Sequence, residues 1–158
     1  MQSHLNKALQ RCFFFLKYRP RTEQEIYKYL LKNTKKYKLK KENIFEIINH
    51  LKELGYVDDF KFIEWFVTKR AGGKPKAIFI IKSELRTFGI ADDLIKKYFE
   101  GNIIDEYELA LRSLNLSKRK IFNLEPAERF SKTVTLLMRK GFRYGIAKKA
   151  VEEFNKKD

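Results

Sequence analysis

Two pairs of adjacent aspartates are the residues of this sequence whose types could do chemistry. Asp58 and Asp59 form one pair, and Asp92 and Asp93 form the other. Paired carboxylates can bind a metal ion or act as general acid and base, but both uses need further carboxylates or a histidine at matching spacing. Only Glu64 is near the first pair, one helical turn or more along the chain. We therefore interpret both pairs as helix starts, where aspartate caps free amides and faces the positive helix end.

The other reactive side chains are scattered. His4 and His50 are isolated in the sequence, and Cys12 is the single cysteine. The segment AGGKP (71–75) lacks the spacing of a phosphate-binding loop. The sequence therefore predicts no catalytic residue, no metal site and no cofactor. One cysteine cannot form an internal disulfide, which favours a reducing, cytoplasmic location.

The composition indicates a polyanionic partner. The chain has 158 residues with 35 Lys plus Arg against 20 Asp plus Glu, a net charge of +15 at pH 7. Such an excess of cations is typical of proteins that bind nucleic acid, an anionic membrane or an acidic protein surface. A compositional bias of the genome is the alternative explanation. The longest apolar run, CFFFL, is far too short to span a bilayer, so no membrane segment is expected.

An internal repeat is the strongest pattern in the chain. Apolar residues recur at helical spacing almost everywhere. The segments LRTFGIADDLIKKYF (85–99) and LMRKGFRYGIAKKAV (137–151) align without a gap, with Gly89 opposite Gly141. An earlier third copy has Lys38 at the glycine position. Each copy indicates helix, tight turn, helix, because glycine ends a helix in a left-handed cap and the apolar residue after it packs back.

The repeat predicts the fold class. Each copy follows another aromatic-rich helix, at roughly 4–17, 59–70 and 105–115. We expect an all-α protein of three tandem three-helix repeats, packed end to end into an elongated, curved helical solenoid. The predicted boundaries are 1–57 for the first repeat, with a lysine-rich insertion at about 32–41, then 58–102 and 103–158.

Three residues are predicted to be helix caps: Thr22, Asp58 and Asp59. In TEQE the threonine can cap the free amides while Glu25, three residues later, reaches back to the Thr22 amide. Most aromatic side chains are expected in the core. The more exposed ones are expected to be Tyr18, Tyr37 and Tyr144.

The central block GYVDDFKFIEWFVTKRAGGKPKAIFIIKSELRTFGI (55–90) resembles the signature of the RecX family of regulatory proteins. The matching features are Gly55, Tyr56, Val57, Asp58, Asp59, Phe62, Arg70, Gly73, Leu85, Gly89 and Ile90. The likeness extends upstream through YRPRTEQEIYKYL and downstream through LLMRKGFRYGIAKKAV, so it covers nearly the whole chain. The sequence departs from the family pattern at the lysine-rich insertion, at Trp65 and Phe66, and in KAIFIIKSEL, where isoleucine or phenylalanine replaces several expected charges.

The resemblance implies a non-enzymatic, cytoplasmic regulator of the RecA recombinase. It implies binding to the RecA filament on single-stranded DNA and inhibition of the ATPase, strand-exchange and co-protease functions of RecA. We expect a monomer that contacts single-stranded DNA, and also double-stranded DNA, through phosphates. The cations predicted to contact RecA or DNA are Lys69, Arg70, Lys74, Lys76, Arg86, Arg139, Lys140, Arg143, Lys148 and Lys149.

Two other functions stay open at this stage. The first alternative is a stand-alone basic helical DNA-binding protein without RecA specificity, although its helices are poor in the side chains that read base edges. The second is a metal nuclease built on the aspartate pairs. For the cations, the alternative is that each is a solvated surface charge.

Overall fold

A computed structural model of the chain describes residues 3–157, which form eleven helices and no strand. The helices are α1 (Ser3–Tyr18), α2 (Glu23–Lys32), α3 (Thr34–Tyr37), α4 (Lys41–Glu53), α5 (Asp59–Gly73), α6 (Ile78–Thr87), α7 (Asp92–Gly101), α8 (Glu106–Leu116), α9 (Lys118–Phe122), α10 (Pro126–Arg139) and α11 (Tyr144–Lys156). The prediction of an all-α protein is confirmed. The leading helices expected near 4–17, 59–70 and 105–115 are α1, α5 and α8.

The chain divides into two compact units. The first takes in the chain up to Trp65 together with Leu85–Tyr98. The second takes in Phe66–Glu84 and the chain from Phe99 onward. The division into three repeats and their elongated arrangement stay predictions from the sequence pattern.

The core of the first unit lies among α1 to α4. Ile26 and Leu30 of α2 and Ile44 and Leu51 of α4 have no solvent exposure, as the helical spacing of their sequences requires. The lysine-rich insertion folds as the short helix α3. Its Tyr37 packs into this core with 6% of its surface exposed, so the prediction of an exposed Tyr37 is wrong. Because lysines surround Tyr37 in the sequence, the pattern did not indicate that its ring anchors the insertion to the core of the first unit.

The core of the second unit lies among α8 to α11. Helices α8 and α10 both pack against α11. Three α11 residues, Ala147, Ala150 and Val151, are fully buried. Small side chains on one helical face let neighbouring backbones approach closely, and Leu114 and Leu137 fill the space opposite.

Three turns share one geometry, as the internal alignment predicts. Lys38, Gly89 and Gly141 all have left-handed backbones, with φ of 50°, 82° and 91°. The amide of the next residue donates to the carbonyl five residues back, at 3.0, 3.3 and 3.2 Å for Leu39, Ile90 and Phe142. All three of these apolar side chains are buried. The pattern is the helix-ending motif expected for glycine, and a lysine adopts it in the first copy.

The start of α2 is tied to two other parts of the first unit. The Glu25 amide donates to Thr22 Oγ1 at 3.1 Å, and the Thr22 amide donates to Glu25 Oε2 at 2.9 Å, which closes the capping box. The buried Thr22 hydroxyl also donates to the carbonyl oxygen of Phe88 at 2.7 Å. One side chain thus caps a helix and joins it to the Gly89 turn.

The first aspartate pair has structural partners. Asp58 accepts a hydrogen bond from the Lys61 amide at 3.1 Å and so caps its own helix, α5. Asp59 accepts instead from the Glu23 amide at 2.9 Å, at the first residue of α2. Asp59 therefore caps a different helix from the one it begins, a partner that the sequence did not indicate. We call the group formed by Thr22, Glu23, Asp59 and Phe88 the Thr22 joint.

Candidate functional site

The predicted cations divide unevenly between the two units. Arg86 lies in the first unit, and the other nine lie in the second. Within the second unit they lie on α5, α10 and α11 and on the loop segments beside these helices. The structure separates them into cations bound to Glu84 or Asp92, Lys140 bound to a serine hydroxyl, and cations exposed to solvent.

Glu84 binds two of the predicted cations. Arg70 makes a bidentate contact to it, Nε to Oε2 at 2.8 Å and Nη2 to Oε1 at 2.9 Å. Lys76 Nζ contacts Glu84 Oε1 at 2.8 Å. In the first unit, Arg86 binds Asp92 at 2.6 Å, at the start of α7. These three cations serve local structure first, because a neighbouring carboxylate offsets their attraction for an outside anion.

Lys140 is the centre of a different arrangement. Its ammonium donates to the hydroxyl of buried Ser113 at 2.8 Å, a neutral partner. The Ala77 amide donates to the Lys140 carbonyl at 3.0 Å, which brings Lys76 beside the Gly141 turn. Burial, together with the nearby charges of Lys120 and Lys76, lowers the pKa of Lys140 below its usual value. We call Lys76, Lys120 and Lys140 the Lys140 cluster.

Sequence reasoning missed Lys120. It lies on the short helix α9, in the run SKRK, which was a visible signal of positive charge. The alignment gave α9 no counterpart in the other repeats, so nothing linked this run to Lys140. Only the packing of α9 in the second unit brings the two ammonium groups close together.

The remaining predicted cations are exposed. Arg139 ends α10, and Arg143 precedes α11. Lys148 lies 4.0 Å from Glu152, the limit of an ion pair, and the Lys149 ammonium lies 5.0 Å from the centre of the Tyr107 ring. The others in this exposed group are Lys69 and Lys74. Exposed lysines and arginines of this kind attract phosphates without reading a base sequence.

Mutual repulsion makes the Lys140 cluster suited to an anion. Burial and the charges of Lys120 and Lys76 disfavour the charged form of Lys140 and lower its pKa, and a phosphate beside these ammonium groups would offset their repulsion. The bond to Ser113 fixes the Lys140 ammonium without cancelling its charge. The arrangement can therefore bind a phosphate or carboxylate, with an affinity that falls as salt is added.

Residues 3–157 contain neither a cluster of metal-binding side chains nor a membrane-spanning helix. This part of the chain holds no group of three or more His, Cys, Asp or Glu side chains placed to bind a metal ion. Over the same residues, none of the helices has both the length and the apolar character needed to cross a bilayer.

Known proteins resemble this chain in sequence and in fold, although no family model matches it. The Regulatory protein RecX of Bacillus pumilus is 33% identical over 150 residues, which cover 94% of this chain and 56% of that protein. The Regulatory protein RecX of Prosthecochloris aestuarii is 28% identical over 153 residues, covering 96% of this chain and 95% of that protein. The chain spans little more than half the length of the Bacillus protein and of the 30% identical Oceanobacillus iheyensis relative.

Two crystal structures share the fold. RecX from Lactobacillus salivarius superposes with a TM-score of 0.73 at 22% identity, over 98% of this chain and 99% of that one. A second structure, of regulatory protein RecX, gives a TM-score of 0.65 at 26% identity over 90% of this chain and 69% of that one. Together with the curated relatives and the signature at 55–90, they identify the family. The chain belongs to the RecX family of regulatory proteins.

Proposed function

We propose that this protein is a non-enzymatic regulator of the RecA recombinase. It binds the RecA filament on single-stranded DNA and inhibits the ATPase, strand-exchange and co-protease functions of RecA. The main support for a regulatory role is that the chain belongs to a family of proteins named for regulation. RecA is proposed as the partner because the resemblance of residues 55–90 to that family implies it. The protein acts as a monomer in the cytoplasm.

The charge of the molecule supports a filament as the target. A RecA–DNA filament offers both phosphates and protein surface, and a protein with a net charge of +15 is attracted to the phosphates at long range. In the second unit, the contacts come from Lys120 and Lys140 of the Lys140 cluster and from the exposed Lys69, Lys74, Arg139 and Arg143. Lys148 and Lys149 add weaker attraction from α11.

Arg70, Lys76 and Arg86 have a second role in this proposal. Their carboxylate partners hold them in place, so each loses less conformational freedom on binding than a free side chain would. We expect them to orient the surface rather than to supply most of the affinity.

Stand-alone DNA binding is the competing function, because the Lys140 cluster would bind free DNA as readily as filament DNA. The acidic start of α7 argues against a helix-turn-helix mode. Arg86 offsets the charge of Asp92 there, but Asp93 is exposed and would repel phosphates. The two functions predict inhibition at different concentrations of the protein. A RecA regulator inhibits below the concentration that coats the DNA, whereas a protein that only binds DNA inhibits once the DNA is coated.

The test is ATP hydrolysis by the cognate RecA on single-stranded DNA, titrated with this protein. Inhibition well below one protein per RecA subunit, and below the concentration that coats the DNA, is the expected result. A salt titration of DNA binding without RecA runs in parallel. Inhibition that begins only when the DNA is saturated would leave stand-alone DNA binding as the function.

Charge-matched variants test whether the Lys140 cluster is responsible for the inhibition. The double variant Lys120→Ala/Lys140→Met removes two charges of the Lys140 cluster and keeps the apolar length of Lys140. Lys156→Ala/Lys157→Ala, at the exposed end of α11, removes the same number of charges and is the control for lost charge. We expect Lys120→Ala/Lys140→Met to need several times more protein for half inhibition, and Lys156→Ala/Lys157→Ala to match the wild type.

A further inference from the structure

A cavity of about 480 Å³ lies in the first unit, between α1 and the inserted helix α3. Its lining residues are Lys7, Gln10, Arg11 and Phe14 of α1 and Lys36 and Tyr37 of α3. We call it the Lys7 cavity. None of these residues belongs to the RecX signature at 55–90 or to the cations assigned above to RecA or DNA.

The lining of the Lys7 cavity is cationic and contains no carboxylate. Within residues 3–157, Lys7, Arg11 and Lys36 take part in no ion pair, and the Lys36 ammonium lies 5.4 Å from the centre of the Tyr37 ring. Elsewhere in the same unit, Arg19 binds Glu25. Three uncompensated cations around a concave surface focus positive potential, which favours an anion with several acceptor oxygens.

An aromatic side chain completes the cavity. Phe14 is 53% exposed, and its ring meets the edge of Tyr18 with ring centres 5.7 Å apart. Tyr18 is 72% exposed and lies one helical turn further along α1. Exposed rings beside cations are how proteins hold single-stranded nucleic acid, with bases on the rings and phosphates on the cations.

Tyr37 fixes the wall of the cavity that α3 contributes. Its ring packs into the core of the first unit, and its hydroxyl interacts with Tyr29, whose pKa is raised by burial and by that interaction. The inserted segment is therefore anchored to the unit and places the Lys36 ammonium at the cavity.

We propose that the Lys7 cavity binds one nucleotide of a single-stranded nucleic acid. The phosphate lies among Lys7, Arg11 and Lys36, and the base stacks on Phe14. An acidic peptide would satisfy the cations but would leave the exposed rings unused. The inference concerns the first unit alone, and it holds whether or not the Lys140 cluster binds a RecA filament.

Photocrosslinking to the full chain, without RecA, tests the site directly. The probe is a hexathymidylate in which one base is 5-iodouracil, which crosslinks to a stacked aromatic ring. Trypsin cleaves after Arg11 and Lys17, so Phe14 is recovered in the peptide CFFFLK (12–17). We expect this peptide to carry the crosslink at Phe14, and labelling confined to other peptides would overturn the proposal.

A pair of charge-matched variants separates the cavity from general basicity. Lys7→Ala/Lys36→Ala leaves the tryptic peptide unchanged and removes two phosphate contacts. Below saturation it should lower labelling of 12–17 by roughly tenfold and reduce the salt slope of that labelling by about 1.4. Lys28→Ala/Lys61→Ala changes the same charge at exposed positions of the first unit and should label as the wild type does. Equal labelling in both double variants would contradict the proposal.

Competition identifies the ligand. Unmodified hexathymidylate should displace the probe from 12–17 more strongly than an abasic hexamer, because the abasic backbone keeps the phosphates and loses the base. Inorganic phosphate should displace it only at far higher concentration. If the abasic hexamer competes as well as hexathymidylate, the base does not stack on Phe14 and the nucleotide assignment is wrong. This result would not affect RecA inhibition by the second unit.

Discussion

The Gly89 turn and the Gly141 turn have the same backbone geometry and different neighbours. At Gly89, the buried Thr22 hydroxyl binds the preceding carbonyl, that of Phe88, and the Gln24 side chain lies against the glycine. At Gly141, the neighbours are the side chains of residues 77–80, and the preceding residue is Lys140. One turn is therefore a structural joint in the first unit, and the other positions a cationic cluster in the second.

The difference shows how a repeated element can diverge without changing its backbone. The residue just before the left-handed glycine is Phe88 in one copy and Lys140 in the other. The Phe88 ring packs 5.3 Å from the ring of Phe62, whereas the Lys140 ammonium reaches Ser113. The turn fixes the direction of this side chain, and the side chain decides whether the site serves packing or binding.

Gly141→Ala should have the largest effect on stability. A Cβ there would lie 2.6 Å from Ile80, 2.9 Å from Phe79 and 3.1 Å from Ala77, at a φ of +91°. Left-handed strain and overpacking together should lower the free energy of unfolding by about 3 kcal/mol, measured by urea denaturation. Gly55→Ala is the control, because its φ is +77° and nothing lies within 4 Å, so only about 1 kcal/mol of strain is expected. Equal losses in the two variants would show that the Gly141 turn is not tightly packed.

Thr22→Ala should come next, because it breaks the Thr22 joint. The change removes the helix cap and leaves the Phe88 carbonyl without its donor, so we expect a loss of about 2 kcal/mol in urea denaturation. Thr22→Ser keeps the hydroxyl and should recover most of that loss. In the second unit, Asp105→Ala removes an exposed cap of α8 with no such second bond and should cost about 1 kcal/mol. If Thr22→Ala costs no more than Asp105→Ala, the bond to Phe88 adds nothing.

Lys38→Gly extends the comparison to the first copy of the turn. Lys38 is exposed and holds a φ of 50°, so glycine relieves strain without removing buried contacts. We expect a gain of about 0.5–1 kcal/mol in the free energy of unfolding, the strain relieved less the added freedom of the unfolded chain. A loss of stability would mean that the lysine side chain itself supports the insertion.

The smallest effect is a pH dependence within the first unit. Burial raises the pKa of Asp59 despite the opposing bond from the Glu23 amide, so the folded state binds this proton more tightly than the unfolded state does. Relative to Asp59→Asn, the wild type should gain stability as pH falls through this raised pKa, and the gain should level off below the unfolded value.

Glu25 should behave in the opposite way, because it is a carboxylate whose pKa is lowered. Burial acts to raise that pKa, but bonds from Arg19 and from the Thr22 amide outweigh burial. Relative to Glu25→Gln, the wild type should be more stable above the unfolded pKa and should lose this advantage as pH falls through the lowered folded pKa. Denaturation midpoints measured across acidic pH decide both signs, and slopes of the same sign would contradict the assigned environments.

The sequence indicated most helices and the shared turns because these depend on local chemistry. Helical spacing of apolar residues and the positions of Gly89 and Gly141 are sufficient for that purpose. The sequence did not indicate that Asp59 binds the start of α2, that Tyr37 is buried, or that Lys120 lies near Lys140. Each of these depends on which distant segment packs alongside, and a lysine-rich or acidic stretch does not encode its neighbour.

The candidate site shows the same limit. Positive charge identified Arg70 and Lys76 as readily as Lys140, although Glu84 binds the first two and a neutral serine binds the third. Charge pattern predicts where cations lie along the chain. Whether the charge of each cation is available to a partner depends on whether a carboxylate from another helix binds it.

The most direct test of the central claim is the scaling of RecA inhibition. The concentration of protein that halves ATP hydrolysis is measured while RecA and single-stranded DNA are varied independently. A filament-directed regulator predicts a midpoint that follows the amount of RecA filament, stays well below one protein per RecA subunit and does not rise when free DNA is added beyond what RecA covers. A midpoint that instead rises in proportion to total DNA would contradict the account and identify the protein as a competitor for DNA.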